Sequence, residues 1–239
     1  MLQPEPVAVP DAFLFDLYGT LVDSERASGE AMARALRRGQ GIVVEQYDRD
    51  FIIGRSWVAI YDDLKRRYPQ LTWAREELVA RTAMERDEVF AEQGVMVLPG
   101  VREILHATKG GKRALVTGSG RAEVLQVLPL IGPEAAFTSI FAAEDVPRSK
   151  PDPIGYQMAM GALGVEPNRC VVLEDSVSGI AAGRAAGCFV VAVRAGNFGG
   201  WDQSRAHRII DTLTELPGLL GGLASIDPAD YGSSVETSS

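Results

Sequence analysis

The chain has 239 residues, of which 46% are hydrophobic and 23% are charged. These values are typical of globular proteins that can bury a sizeable core. The 24 Lys and Arg residues against 32 Asp and Glu residues give a net charge of −8, which opposes binding to nucleic acid or to an anionic membrane. We therefore expect a small molecule or a metal ion as the partner, and we take the chain to be a monomer or a weak dimer.

Cysteine usage and the lack of long apolar runs indicate the compartment. Cys170 and Cys188 lie in apolar, strand-like runs, which predicts buried thiols and not a disulfide framework or a metal site. No apolar stretch reaches the roughly 18 residues that a membrane span requires. The N-terminal sequence MLQPEPVAVP lacks the basic start and the apolar run of a signal peptide. These observations predict a cytoplasmic protein.

Short apolar runs without a helical period predict buried strands. They are AFLFDLYG at 12–19, ALVTG at 114–118, CVVLED at 170–175 and CFVVAV at 188–193. Helix-like patterns alternate with these strands at 122–132, 153–164 and 178–187, which predicts an α/β fold with a parallel sheet. In such a sheet, ligands bind beyond the carboxyl ends of the strands. Asp16, Thr117 and the Glu174–Asp175 pair would converge there.

A different pattern fills the chain between the first two strands. Residues 24–95 carry charges at i, i+4 spacing and few strand signals, which predicts an inserted helical domain. The α/β core would then comprise residues 10–23 and 96–222, with Pro99 and Gly100 marking the return to it. Residues 225–239 are polar and without a regular pattern, so they predict a loose tail.

Asp16 is the first candidate for chemistry. A carboxylate at the end of an apolar strand, directly before a Gly-Thr turn, is held at the rim of the sheet by rigid backbone. It could attack a substrate as a nucleophile. The alternative is an aspartate that only caps the following turn.

Thr117 and Lys150 are candidates for binding an anion. Thr117 precedes Gly118 and Ser119, so a hydroxyl and backbone N–H groups meet where a strand ends and a helix begins; the alternative is a simple N-cap by Ser119. Lys150 lies in SKPDP, where prolines stiffen the chain and fix a cation that could neutralise a phosphoryl group. A solvated surface lysine is the alternative.

Glu174 and Asp175 are candidates for a metal site. Two adjacent acids at the end of a buried strand repel each other unless a cation lies between them, and Mg²⁺ prefers carboxylate and phosphate oxygens. The alternative is an acidic turn in water. His106 and His207 have no visible acidic or cysteine partners, so no histidine metal site or Ser-His-Asp triad is predicted.

Taken in order, four segments resemble the motifs of the haloacid dehalogenase superfamily: FDLYGTLVDS, LVTGSGR, SKPDP and LEDSVSGIAAGRAAG. The helical insert is similar to the small cap of the branch that holds β-phosphoglucomutase-like and phosphoglycolate-phosphatase-like proteins. The resemblance implies a Rossmann-like core with a helical cap domain, and a hydrolase that acts on a small phosphorylated substrate with Mg²⁺.

The resemblance also implies residue roles. Asp16 would form an aspartyl-phosphate, while Thr117 and Lys150 hold the phosphoryl oxygens. Asp16, the backbone carbonyl of Tyr18, Glu174 and Asp175 would bind Mg²⁺.

A loop of the inserted helical domain is a further candidate for substrate contact. Gly54 and Arg55 lie in the segment Gly54-Arg55-Ser56-Trp57. Arg55 could contact a second anionic group of the substrate. The alternative is an ordinary turn between helices.

Tyr18 departs from the phosphatase pattern, in which a second aspartate two residues after the nucleophile acts as the general acid. A tyrosine, with an ordinary pKa near 10, is a poor replacement. The motif with tyrosine is similar to that of the 2-haloacid dehalogenases, which is the main alternative function, although the Glu174–Asp175 pair resembles the Mg²⁺-binding form. A further alternative is a phosphonoacetaldehyde hydrolase, in which Lys65 would form the Schiff base with the substrate. Another is a binding protein that has lost turnover.

Overall fold

The computed structural model describes residues 10–220, and the predicted tail at 225–239 lies outside them. Within this range, six parallel strands form one sheet in the order β5-β4-β1-β6-β7-β8, and two strands form a small antiparallel sheet. The predicted parallel α/β sheet is confirmed. The strands are β1 (Ala12–Phe15), β2 (Val22–Asp23), β3 (Met96–Val97), β4 (Lys112–Val116), β5 (Ser139–Phe141), β6 (Cys170–Glu174), β7 (Phe189–Val193) and β8 (Arg208–Ile210).

Helices connect the strands, and short 3₁₀ turns lie at 143–145, 167–169 and 213–215. The α-helices are α1 (Glu25–Gln40), α2 (Gln46–Phe51), α3 (Trp57–Arg67), α4 (Arg75–Gln93), α5 (Val101–Ala107), α6 (Arg121–Ile131), α7 (Ile154–Leu163), α8 (Val177–Ala185) and α9 (Leu216–Leu219). The three helices predicted after β1 in the core, at 122–132, 153–164 and 178–187, correspond to α6, α7 and α8 within two residues at each end.

The sheet separates two hydrophobic layers because successive side chains of a strand point to opposite faces. On one face, Phe13 and Phe15 pack with residues of α5, α6 and α9. On the other face, Ala12 and Leu14 pack with residues of α7 and α8. Both faces of the central strands are buried, which is why their sequences are continuous apolar runs. Cys170 and Cys188 are buried free thiols, as predicted.

Helices α1 to α4, which we call the helical segment (residues 25–93), lie between β2 and β3. Their buried side chains, among them Leu36, Leu64 and Leu78, form a hydrophobic cluster of their own. The two strands that flank the segment pair with each other, with Val22 opposite Val97. The chain therefore leaves and re-enters the core at one place. Division into a core and a separate domain stays a prediction.

Among the described residues, no helix is both long enough and apolar enough to cross a bilayer.

Candidate active site

The predicted site residues meet at the carboxyl edge of the sheet. Strands β1, β4 and β6 are neighbours and parallel, so the residues that follow them leave the sheet on the same side. Asp16, Thr117 and Asp175 are these residues. A carboxylate oxygen from each of Asp16, Glu174 and Asp175 lies within 4.8 Å of the others.

Lys150 joins these elements from the loop between β5 and α7. Its ammonium donates to Asp16 Oδ1 at 2.5 Å, to Glu174 Oε1 at 2.5 Å and to the Val116 carbonyl at 2.9 Å. Its side chain is 15% exposed, so it is not a solvated surface lysine. Although burial opposes its charge, the carboxylates of Asp16 and Glu174 raise the pKa of Lys150 well above its ordinary value.

Glu174 is fully buried and is held by five hydrogen bonds. Its Oε1 accepts from Lys150 and from the Tyr156 hydroxyl, while its Oε2 accepts from the backbone N–H groups of Asp175 and Ser176 and from the Ser176 hydroxyl. Both oxygens are therefore occupied by protein donors. Glu174 is placed to position Lys150, which leaves Asp16 and Asp175 as the carboxylates better placed for direct contact with a cation.

Three carboxylates face one ammonium in this site, and the pKa values of two of them, Asp16 and Asp175, are raised. Burial raises the pKa of Asp16 to about 7, against the lowering effect of Lys150, and Glu174 adds to the rise. Burial and the charges of Glu174 and Asp16 raise the pKa of Asp175 well above its usual range. The electrostatics of the site therefore favour uptake of a cation between the carboxylates.

Gly19 allows the loop after Asp16 to approach Asp175. A Cβ atom at position 19 would lie 2.1 Å from Asp175 Oδ2, and the φ of Gly19 is +81°, in the left-handed region that other residues rarely adopt. Thr20 is fully buried beneath the same loop. The Gly-Thr turn after the strand is thus required by the close packing of the two acidic loops.

Thr117, Gly118 and Ser119 form the loop between β4 and α6, as predicted. The Thr117 hydroxyl accepts from the Ser119 N–H at 3.2 Å, so that N–H is bonded within the loop. Gly120, and not Ser119, is the N-cap of α6. The simple N-cap by Ser119 is therefore wrong, and the binding of an anion by this loop stays a prediction.

Tyr18 points away from the role of a general acid. Its hydroxyl donates to Glu123 Oε1 at 2.7 Å, its ring stacks on Phe90 with centroids 6.3 Å apart, and the Arg86 guanidinium lies 5.4 Å from the ring centroid. Burial and the Glu123 carboxylate raise the pKa of Tyr18 above its ordinary value. The side chain links α4 to α6. Metal binding by its carbonyl stays a prediction.

The loop between α2 and α3 contacts the core. The Gly54 N–H donates to Glu25 Oε2 at 2.7 Å, and a Cβ at position 54 would lie 2.4 Å from the Cα of Gly199. The Arg55 guanidinium lies 4.1 Å from the centroid of the Phe51 ring and donates to carbonyls of its own loop. The structure thus places Gly54 at the junction with the core and Arg55 on its own loop, and their contact with substrate stays a prediction.

Two further side chains contact the site but were not predicted from the sequence. Tyr156 is fully buried, and the Lys150 ammonium lies 5.3 Å from the centroid of its ring. Gln203 donates to the carbonyls of Asp175 and Val193 and ties two loops of the edge together. Their positions depend on packing between distant parts of the chain, so no local sequence pattern predicts them.

The candidate site does not include Lys65, His106 or His207. Lys65 donates to the Leu71 carbonyl at 2.5 Å within the helical segment, a contact that gives no support to a Schiff-base role. His207 stacks on Phe189 and accepts from the Val190 N–H, which is a structural role. His106 lies in the last turn of α5.

The candidate site lies at the carboxyl edge of a parallel sheet, which is where open α/β proteins bind their ligands. The chain belongs to the haloacid dehalogenase-like hydrolase family, whose model matches residues 10–187. The predicted superfamily is confirmed.

Individual relatives agree with this membership. The chain is 35% identical over 185 residues to hexitol phosphatase A of Escherichia coli, covering 77% of this chain and 82% of that protein. It is 30% identical over 220 residues to phosphoglycolate phosphatase of Chromobacterium violaceum, covering 87% of this chain and 96% of that protein. The structure is similar to that of a HAD family hydrolase from Deinococcus radiodurans with bound phosphate and sodium. The TM-score is 0.72 and the sequences are 27% identical, and the match covers 92% of this chain and 100% of that chain.

Replacing Lys150 by methionine should destabilise the metal-free protein by about 3–5 kcal/mol, because it leaves buried carboxylates without their counter-charge. Urea denaturation measures the change in the free energy of unfolding. Lys112→Met is the matched control, since Lys112 is exposed and its ammonium donates to the Gly164 carbonyl at 3.4 Å; its effect should stay within about 0.5 kcal/mol. Equal losses in both variants would contradict the structural role assigned to Lys150.

Proposed function

We propose that the protein is a Mg²⁺-dependent phosphatase that acts on a small phosphorylated metabolite through an aspartyl-phosphate. The observation that carries the proposal is the buried contact of Lys150 with Asp16, beside carboxylate oxygens that lie within 4.8 Å of one another. A fixed cation next to a nucleophilic carboxylate suits the transfer of a dianionic group. Relatives named as a hexitol phosphatase and a phosphoglycolate phosphatase support a sugar phosphate or glycolate phosphate as the substrate class.

Each side chain has a defined task in this proposal. Asp16 attacks phosphorus and receives the phosphoryl group, and the bond to the leaving oxygen breaks. Lys150 and Thr117 hold the phosphoryl oxygens and offset their charge. Water then hydrolyses the acyl phosphate and restores Asp16.

The site fits a magnesium ion by the chemistry of its donors. Asp16 and Asp175 are the carboxylates not saturated by protein donors, and Mg²⁺ takes one or two carboxylates together with phosphate oxygens and water. When bound, the ion supplies positive charge to the transferring phosphoryl group. Burial and the neighbouring carboxylates raise the pKa of Asp16 and of Asp175, so a cation between them would relieve their repulsion.

The acidic pair also favours phosphate chemistry over dehalogenation, because release of a halide requires no cation. Tyr18 nevertheless limits which phosphates react well. Its hydroxyl is bonded to Glu123, so position 18 provides no carboxyl group to protonate a leaving oxygen. General acid help contributes about 10²–10⁴-fold to a rate, so esters with good leaving groups should be the better substrates.

Parallel assays test the function directly. With Mg²⁺, the protein should hydrolyse an aryl phosphate and at least one member of a panel of metabolite phosphates, and chelator or Asp16→Asn should abolish turnover. The assay measures phosphate release, with halide release from 2-chloropropionate followed in the same samples. Halide release that survives chelator would overturn the proposal in favour of a dehalogenase. Absence of every activity, with stabilisation by Mg²⁺, would favour a binding protein.

Magnesium should stabilise the protein more at pH 8 than at pH 6. The pKa of Asp16 in the metal-free protein is raised to about 7, so the carboxyl is mostly protonated at pH 6, and a bound cation must displace that proton. Affinity for Mg²⁺ therefore rises as the pH passes through about 7. The increase in melting temperature on adding Mg²⁺ measures this, and Asp16→Asn should show a smaller increase with little pH dependence. The same increase at both pH values would contradict the assignment.

Replacing Tyr18 by aspartate should raise kcat for alkyl phosphates, since it returns a general acid to the position that holds one in related phosphatases. Tyr18→Phe is the control, because it removes the bond to Glu123 and keeps the ring on Phe90. Melting temperatures of both variants separate lost packing from changed chemistry. An unchanged or lower kcat in a folded Tyr18→Asp variant would mean that another step limits turnover.

A further inference from the structure

Glu25 places a further carboxylate beside the candidate active site. It is the first residue of α1 and is half-buried. Its Oε2 accepts from the Gly54 N–H at 2.7 Å, whereas its Oε1 accepts no hydrogen bond from the described residues. Oε1 is also not one of the side-chain atoms that are buried without a partner, so solvent reaches it. The carboxylate is therefore held at one oxygen and open to a ligand at the other.

Glu25 lines a small cavity that adjoins the acidic pair. The cavity has a volume of about 110 Å³, and Tyr18, Asp175 and Phe198 also line it. An Asp175 oxygen lies within 4.8 Å of an Asp16 oxygen, so the cavity begins beside the nucleophile and reaches the start of the helical segment. A leaving group that enters the cavity from the nucleophile would lie between Asp175 and Glu25.

The walls of this cavity are acidic. Asp23, Glu25 and Asp175 line it, and none of the described residues that line it is basic. Burial raises the pKa of Glu25 against the lowering effect of the Gly54 N–H, and the Asp23 charge adds to the rise. A ligand group with a negative charge would be repelled here, whereas a hydroxyl group can donate to Glu25 Oε1.

Two arginines of the helical segment are engaged elsewhere and do not offset this charge. The Arg86 guanidinium pairs with the Glu123 carboxylate. Arg55, the candidate for contact with a second anionic group, lies over the Phe51 ring and donates to carbonyls of its own loop. Neither arginine lines the cavity. A second anionic group of a substrate would therefore enter the cavity without a cation to receive it.

We propose that Glu25 selects substrates whose leaving group is uncharged and carries hydroxyl groups, so that the protein acts on polyol or sugar monophosphates. The inference rests on the phosphatase function proposed above and narrows its substrate class. Glu25 Oε1 accepts a hydrogen bond from a hydroxyl of the leaving group. Its charge disfavours a leaving group with a carboxylate or a second phosphate, so glycolate phosphate and bisphosphates are poor substrates.

Two substrates that differ in one terminal group test this selectivity. A hexitol phosphate ends in an alcohol, and the aldonate phosphate of the same chain length ends in a carboxylate. In the wild type with Mg²⁺, kcat/KM for the hexitol phosphate should exceed that for the aldonate phosphate by about 10-fold or more. Glu25→Gln keeps an acceptor for the Gly54 N–H and removes the charge, so the ratio of the two kcat/KM values should fall about 10-fold.

Glu30→Gln is the matched control. Glu30 lies on the same helix, α1, but pairs with Arg34 and Arg49 and does not line the cavity. Its replacement removes the same charge and should leave the ratio of the two kcat/KM values as in the wild type. Melting temperatures establish that both variants are folded.

Equal kcat/KM values for the two phosphates in the wild type, or a preference for the aldonate phosphate, would overturn the proposal. So would an unchanged ratio in a folded Glu25→Gln variant, an equal fall of the ratio in both variants, or turnover of an aryl phosphate with neither member of the pair. Failure of the proposed function is a different result, because the wild type would then release phosphate from no substrate.

Discussion

The contact of Lys150 with Asp16 and Glu174 is the interaction on which the site depends. It brings together the loop before α7 and the ends of three neighbouring strands, with distances of 2.5 Å to each carboxylate. Glu174 can be buried because its oxygens are filled by Lys150, Tyr156 and backbone donors. Without the ammonium, the buried charges would oppose folding of this edge. In the proposed phosphatase, the same cation would also offset the charge of the transferring phosphoryl group.

Burial raises the pKa of Asp16 and of Asp175, and the excess of carboxylates over the one cation that faces them adds to the rise. In the proposed function, a divalent ion would relieve this repulsion when it binds between the carboxylates. In the proposed function, Glu174 acts through Lys150, while Asp16 and Asp175 would contact the ion and the substrate. These roles differ because both oxygens of Glu174 already accept hydrogen bonds from the protein.

Tyr18 is the residue at which this site departs from the phosphatase pattern. Its ring lies against Phe90 and its hydroxyl bonds Glu123, so it joins the helical segment to the core and contributes packing in place of proton transfer. An alkyl phosphatase still requires a proton for its leaving group.

The sequence by itself determined the parallel sheet, the inserted helices and the residues that follow the central strands, because buried strands and amphipathic helices leave periodic patterns. It identified Asp16, Thr117, Lys150 and the acidic pair through ordered motifs. Only the tertiary structure decided which oxygens of those groups accept hydrogen bonds from the protein and where the Tyr18 hydroxyl bonds. These properties depend on contacts such as Tyr18 with Glu123, 105 residues apart, and a local pattern carries no record of such contacts.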